Sequence, residues 1–283
     1  MITAGLSGVV AAKVPGNGMG ARYPRYRDGV PADPTDRFTE LVGLGDRMAL
    51  DEACLLVAAH AHPGLDVEGE LERLDALAAG FEGDDLHGLA HHLCTGLGFA
   101  GDRATYHDPR NSLLPDVLDR RLGIPISLAI LAMEVGRRQG VPIQGIGMPG
   151  HFLVRDARDD DHYIDLFDGG RSLGRKGCHE VFSGLHPRVA WSDAFLEPVG
   201  PVAVVTRVLN NLANAYRRSG EKADLAWTLA LRLALPGVST RERRELAVLL
   251  GAIGRFAEGA EVLEATGDPA DEHAAQRLRA RLN

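Results

Sequence analysis

Residues 108–156 read DPRNSLLPDVLDRRLGIPISLAILAMEVGRRQGVPIQGIGMPGHFLVRD, and residues 163–170 continue as YIDLFDGG. The hydrophobic period changes inside this stretch. Leu113, Leu114, Val117 and Leu118 recur at helical steps on a short helix that stops before Gly123-Ile124-Pro125. Residues 126–139 predict a buried helix. Pro125 stands at its first turn, where a missing N–H costs nothing, and Arg137-Arg138 precede Gly140, as dipole and C-cap preferences require. From residue 142 the period is two: 142–148, the turn Pro149-Gly150, 151–155, an acidic turn, then 163–166. Three antiparallel strands are expected. A hairpin folded about Arg158 sets His151 opposite Asp165, with Phe152, Val154, Ile164 and Leu166 on the other face. That register packs the apolar side and exposes a His/carboxylate pair.

Upstream, the pattern is helical from about Arg37. Phe38, Leu41 and Val42 are followed by Leu50, Ala53, Cys54, Val57 and Ala58, with Asp51-Glu52 suited to a first turn. Leu71, Leu74, Leu77 and Ala78 make a further apolar face, and Leu86, Leu89, Ala90, Leu93, Cys94 and Leu97 another, ended by Gly98. Residues 1–36 hold too few large apolar side chains to offset ordering entropy, and a flexible arm is expected there. Downstream, 171–200 reads as irregular and the chain is helical from Val202. Tyr216 to Ala223 lines up with Leu250 to Ala257 at an offset of 34 residues, and Leu212 with Leu246. Small residues at turn and crossing positions with that period describe a tetratricopeptide-like helix pair. Two units are fewer than a free-standing solenoid needs, so this tail should pack on what precedes it. The expected fold class is α+β: an arm (1–36), a helix-plus-antiparallel-sheet domain with a mainly helical start (37–200), and C-terminal helical hairpins (201–283).

The charge balance, 31 Lys and Arg against 39 Asp and Glu for a net −8, has no basic run longer than pairs such as Arg120-Arg121. No footprint for a nucleic-acid backbone exists in it, and nucleic acid is not an expected partner. No apolar stretch reaches the roughly 20 residues of a membrane helix, so no membrane association is expected. Cys54, Cys94 and Cys178 share no CxxC spacing, which fits a reducing compartment and a cytoplasmic address.

A helix whose N-terminus faces a strand-borne His with a carboxylate behind it is the layout of Cys-His-Asp acyl transfer. His151 and Asp165 match the last two members. The quoted stretch resembles the SirB-one family, a branch of the transglutaminase-like superfamily with a tetratricopeptide-like C-terminal region. The likeness covers roughly Arg37 to the end and is strongest over residues 108–170. Active members of the wider superfamily carry a nucleophile in a Gly-x-Cys motif at the start of the central helix. Gly123-Ile124-Pro125 occupies that place, so the resemblance puts Pro125 at the Cys position and leaves His151 and Asp165 as a remnant catalytic pair.

The other candidates have two readings each. Ser127 is about 200° around the helix from Pro125, and is either a capping or packing hydroxyl or a substitute nucleophile. Asn111 either caps the next helix after the Asp108-Pro109 turn, or lines the His151 cleft and donates to a bound carbonyl. Arg120 and Arg121 pair with Asp116 or Asp119 at helical spacing, or Arg121 holds an acidic peptide end. Gly150 shapes the turn before His151. Cys54 and Cys94 read as core thiols and Cys178 as a surface thiol. His60-Ala-His62, His91-His92 and Asp159-Asp160-Asp161-His162 lack metal-ligand geometry, and neither a metal nor a cofactor is expected. Two functions compete. One is a protein- or peptide-binding module using the cleft and the helical tail; the other is a hydrolase or acyl-transfer-like enzyme with His151 and Asp165 as general base.

Overall fold

The computed structural model describes residues 33–282, and the arm expected at the N-terminus lies outside them up to residue 32. From Asp33 onward the chain forms one compact unit. Helix α1 (Pro34–Val42) starts three residues earlier than the apolar pattern suggests, because Asp33 accepts from Thr35 N and Pro34 occupies the first position. Then come α2 (Leu50–Ala61), α3 (Val67–Ala79), and α4 (Leu86–His91), which runs into a π-turn. A two-residue parallel pair, β1 (Ala100–Gly101) and β2 (Leu122–Gly123), brackets α5 (Leu114–Arg120). The central helix α6 (Pro125–Gln139) is buried along most of its length and ends on Gly140 at φ 75°, a conformation that suits glycine.

A four-stranded antiparallel meander follows: β3 (Ile143–Ile146), β4 (Leu153–Asp156), β5 (Tyr163–Asp165) and β6 (Arg171–Leu173). The hairpin pairs Val154 with Ile164 and Arg155 with Tyr163, so it centres on Asp159 and is shifted by two residues from the expected register. An even shift leaves every side chain on its own face. Phe152, Val154, Ile164 and Leu166 therefore still face the main core.

The opposite face is not exposed. Ile146, Met148, Leu153, Tyr163 and Leu173 meet Cys178 and Phe182 of α7 (Arg175–Leu185), which with β6 fills much of the segment read as irregular. Cys178 is fully buried, not a surface thiol, because Cys178, Val181 and Phe182 recur at helical steps on the inner face of α7.

The C-terminal helices are α8 (Pro201–Ser219), α9 (Lys222–Arg232), α10 (Thr240–Ala252), α11 (Phe256–Glu264) and α12 (Pro269–Arg279). Gly220 and Gly254, the glycines matched at the 34-residue offset, both have left-handed backbones (φ 80° and 83°) after α8 and α10. The main core runs without a break from Phe38 through Leu166 to Val204, Leu212, Leu229 and Leu250. The boundary drawn at residue 200 thus does not divide two cores. Among the described residues no helix is long and apolar enough to cross a membrane.

A buried ionic cluster ties α2 to α6. Arg138 Nη2 and Arg137 Nη2 donate to Asp51 at 2.7 and 2.9 Å, and Arg138 Nη1 and Arg137 Nε donate to Glu134 at 3.0 and 2.8 Å. Burial, then the charge of Asp51, push the Glu134 carboxyl up to about 7 against the two arginines. A carboxyl raised on folding lends stability below its unfolded pKa, near 4.3, and loses it as pH rises through the folded value. Glu134→Gln is therefore expected to gain on the wild type between pH 5 and pH 8. Thermal melts of both proteins at the two pH values check this, and a constant difference in Tm would refute it.

Candidate functional site

His151 follows the Pro149-Gly150 turn. Gly150 has φ 75°, and a Cβ there would come within 2.5 Å of His186 Nε2, so only glycine fits without displacing that ring. His151 N donates to Met148 O at 3.0 Å, which closes the turn and points the imidazole back along the sheet. Its Nε2 is 2.7 Å from Asp165 Oδ2. The other carboxylate oxygen accepts from Asp168 N at 3.1 Å. Both residues are buried, His151 at 8% exposure and Asp165 at 4%, against the expected exposed pair. Phe167 and Asp168 of the turn after β5 cover the pair. Phe167 meets the His151 ring edge-on, and Arg103 stacks over Phe167 at 4.8 Å.

A cavity of about 270 Å³ opens beside His151. Pro125 and Ile126 at the start of α6 form one wall, and Gly150, His151 and Phe152 form another. Two residues of α8, Arg207 and Asn211, and Tyr106 from the loop after β1 complete it. Position 125 and the imidazole thus share one space. Because Asp165 engages Nε2, Nδ1 is the imidazole nitrogen left for a cleft occupant; it has no hydrogen-bond partner among the described residues.

The remaining candidates sit elsewhere. Ser127 Oγ accepts from Ile124 N at 3.0 Å and donates to Asn111 O at 2.6 Å, so its hydroxyl is consumed at the helix start and turned away from the cavity. Asn111 is fully buried and does not line the cleft. Its Nδ2 donates to Asp102 Oδ2 (3.2 Å) and Thr105 O (2.8 Å), and its Oδ1 accepts from Arg120 Nη1 (2.9 Å). Arg120 is held by this cluster because the carboxylates at helical spacing are taken: Asp116 by His62 and Asp119 by Arg73. Arg121 takes a left-handed backbone (φ 55°) after α5 and donates to Leu97 O at 2.8 Å. It lines a second, separate cavity of about 480 Å³ with Leu77, Phe99 and Leu118.

Among the described residues no cysteine lines the His151 cavity. Burial, with Asp165 behind it, pushes Cys94 up to about 11, burial pushes Cys178 up to about 11, and burial raises Cys54 further still. None is poised as a thiolate.

Arg207, Asn211 and Tyr106 were not singled out from sequence. The signal for the first was present: Arg207 is the only charged residue between Pro201 and Tyr216 in a helix that buries Val204, Val205, Val208 and Leu209. Its Nη2 donates to His151 O at 2.7 Å, and its guanidinium lies over Phe152 at 5.4 Å.

A family model described as the transglutaminase-like superfamily matches residues 52–210, from α2 into α8, and so includes Pro125, His151, Asp165 and Arg207. The chain is 38% identical over 148 residues to a UPF0162 protein of Xylella fastidiosa, covering 50% of this chain and 51% of that one. It is 36% identical over 183 residues to a UPF0162 protein of Pseudomonas aeruginosa (61% and 67%), and 33% identical over 144 residues to F-box only protein 21 of Homo sapiens (48% and 22%). The chain spans about half the length of the first curated relatives it matches. No solved structure matches it. A central helix whose start faces a strand-borne His-Asp pair, within a family match over more than half its length, places this chain in the transglutaminase-like superfamily.

Proposed function

We propose that this protein is a non-thiol transglutaminase-like domain that binds a protein or peptide segment in the His151 cleft, with tetratricopeptide-like C-terminal hairpins extending the contact surface. One observation carries the reading: among the described residues, the cavity wall beside His151 holds Pro125 where the resemblance puts the cysteine, and no Cys, Ser or Thr. Proline offers neither a nucleophile nor an N–H. Acyl transfer through a thioester or a Ser/Thr ester intermediate has no residue there to form it. His151 and Asp165 then orient a ligand, the imidazole offering one polar nitrogen to the cleft while Arg207 fixes its main chain.

The second reading, general-base catalysis by His151 on a water, draws on the intact 2.7 Å His-Asp contact. One experiment separates the two. Wild type, His151→Ala and Asp165→Asn are incubated with a pooled set of amide- and ester-linked peptides, and retained and released species are weighed by mass spectrometry. Binding predicts the same peptides, unmodified, on wild type and no turnover above the variants. Products formed by wild type and lost in both variants would replace the binding reading with the enzymatic one. Truncation near Gly200 is unsuitable as a test of the tail, because α8 to α10 belong to the main core and their removal would expose it.

A further inference from the structure

Arg207 is half-buried and lines the cleft. Arg120, Arg137, Arg138 and Arg244 each reach a carboxylate within hydrogen-bond distance, whereas among the described residues Arg207 reaches none. Burial lowers its pKa from the usual arginine value. A guanidinium partly withdrawn from water without a counter-ion favours an anionic partner. Asp165 makes no ion pair with it; its two carboxylate oxygens meet His151 and Asp168 N. One guanidinium nitrogen is fixed on His151 O and the guanidinium carbon lies over the Phe152 ring at 5.4 Å, so the fork is held in place. Nε and Nη1 have no protein acceptor among the described residues and are not sealed in the core.

We propose that the His151 cleft is a receptor for a peptide carboxylate, with Arg207 as its charged anchor and Asn211, one turn further along α8, as its neutral hydrogen-bonding companion. The inference rests on the reading of the cleft as a binding site and names the chemistry of its ligand. Residues four apart on a helix share a face, so the fork and the amide reach into the same space. The start of the 15-residue helix α6 forms the facing wall, and its dipole favours a negative group. A single guanidinium matches a single negative charge in a planar, two-oxygen group; phosphate carries more charge than one arginine neutralises. The volume of about 270 Å³ lies just under the range of small-molecule sites, about 300–1,000 Å³, and suits one end or one side chain of a peptide. Both an α-carboxylate chain end and an Asp or Glu side chain supply this chemistry.

The test uses the full chain and fluorescence anisotropy with three hexapeptide pools carrying an uncharged N-terminal fluorophore. The first pool lacks acidic residues and ends in a free carboxylate, the second is the same pool amidated, and the third is amidated with one internal Glu. Wild type is expected to bind the first or the third at least about tenfold tighter than the second, and which of the two it prefers identifies the source of the carboxylate. Arg207→Gln should remove that margin and Arg207→Lys should keep part of it. Asn211→Asp, nearly identical in volume, sets a carboxylate beside Arg207 and should also remove it; circular dichroism confirms that each variant is folded. Equal binding of all pools, or a margin that survives Arg207→Gln and Asn211→Asp, overturns the carboxylate site while leaving peptide binding in place. Stronger displacement by inorganic phosphate than by acetate also overturns it. No binding of any pool overturns both the site and the peptide-binding reading.

Discussion

Pro125→Cys is expected to create a thiol that reacts with iodoacetamide at pH 7 at least about a hundredfold faster than Cys94 or Cys178. The expectation follows from magnitudes. The two native thiols are held near 11, so about one in ten thousand is a thiolate at neutral pH. A thiol at the start of α6 stands on the positive end of a 15-residue helix and shares a cavity with His151. Thiols in such settings fall to roughly 3.5–7.5. A value near 6.5 raises the thiolate fraction about ten-thousandfold. Lower basicity makes each thiolate intrinsically less reactive, by about a hundredfold for a change of some 4.5 pH units, which leaves a net gain of about a hundredfold before easier access is counted. The cost in stability is small, because the first helical position needs no intrahelical N–H bond. The reaction midpoint should lie below pH 8 and move up when His151→Ala is added. A midpoint near 11, or a rate equal to that of wild type, would show that position 125 does not face the imidazole.

The limits of α6 and the alternation of β3 to β5 were legible because their signals are local: Pro125, Gly140, and apolar residues at steps of two. The face shared by His151 and Asp165 was legible for the same reason, since a two-residue register error leaves faces unchanged. Their burial was not. It depends on the turn after β5, where Phe167 and Asp168 close over the pair, a contact that no periodicity marks. Asn111 was attached to the wrong environment because Asp102, nine residues earlier in an irregular turn, captures its amide. Arg207 lies 56 residues from His151, and no periodicity links an α8 side chain to a strand turn across that separation. The pair was readable as motif; the cavity beside it is assembled by tertiary packing.

That packing explains why Asp102 carries the other large expected effect. At 5% exposure it accepts from Thr105 N (2.8 Å) and Thr105 Oγ1 (2.5 Å), from Asn111 Nδ2 (3.2 Å) and from Arg120 Nη2 (3.1 Å). Asn111 in turn presents its carbonyl to Ser127 Oγ at the start of α6. A single carboxylate thus anchors the 102–111 turn, which carries Tyr106, and the helix start, which carries Pro125, the two ends of one cavity wall. Removing it leaves a partly buried guanidinium without its counter-charge and a buried amide with one acceptor fewer, a change that costs about 2–5 kcal/mol. At about 2–4 °C per kcal/mol for a unit of this size, Asp102→Ala should lower Tm by roughly 4–20 °C. Asp102→Asn keeps the shape, loses the charge and should fall between. The pH dependence has a definite sign. Thr105, through its hydroxyl and its backbone N–H, then Asn111 and Arg120, hold the Asp102 carboxyl down to about 2. A carboxyl depressed on folding lends its stability above its unfolded pKa, near 3.9, and loses it as pH falls through the folded value. The gap in Tm between wild type and Asp102→Asn should therefore be full at pH 6 and shrink between about pH 4 and pH 2. A gap that is already absent at pH 6 would show that the turn and the start of α6 are held by their apolar contacts alone.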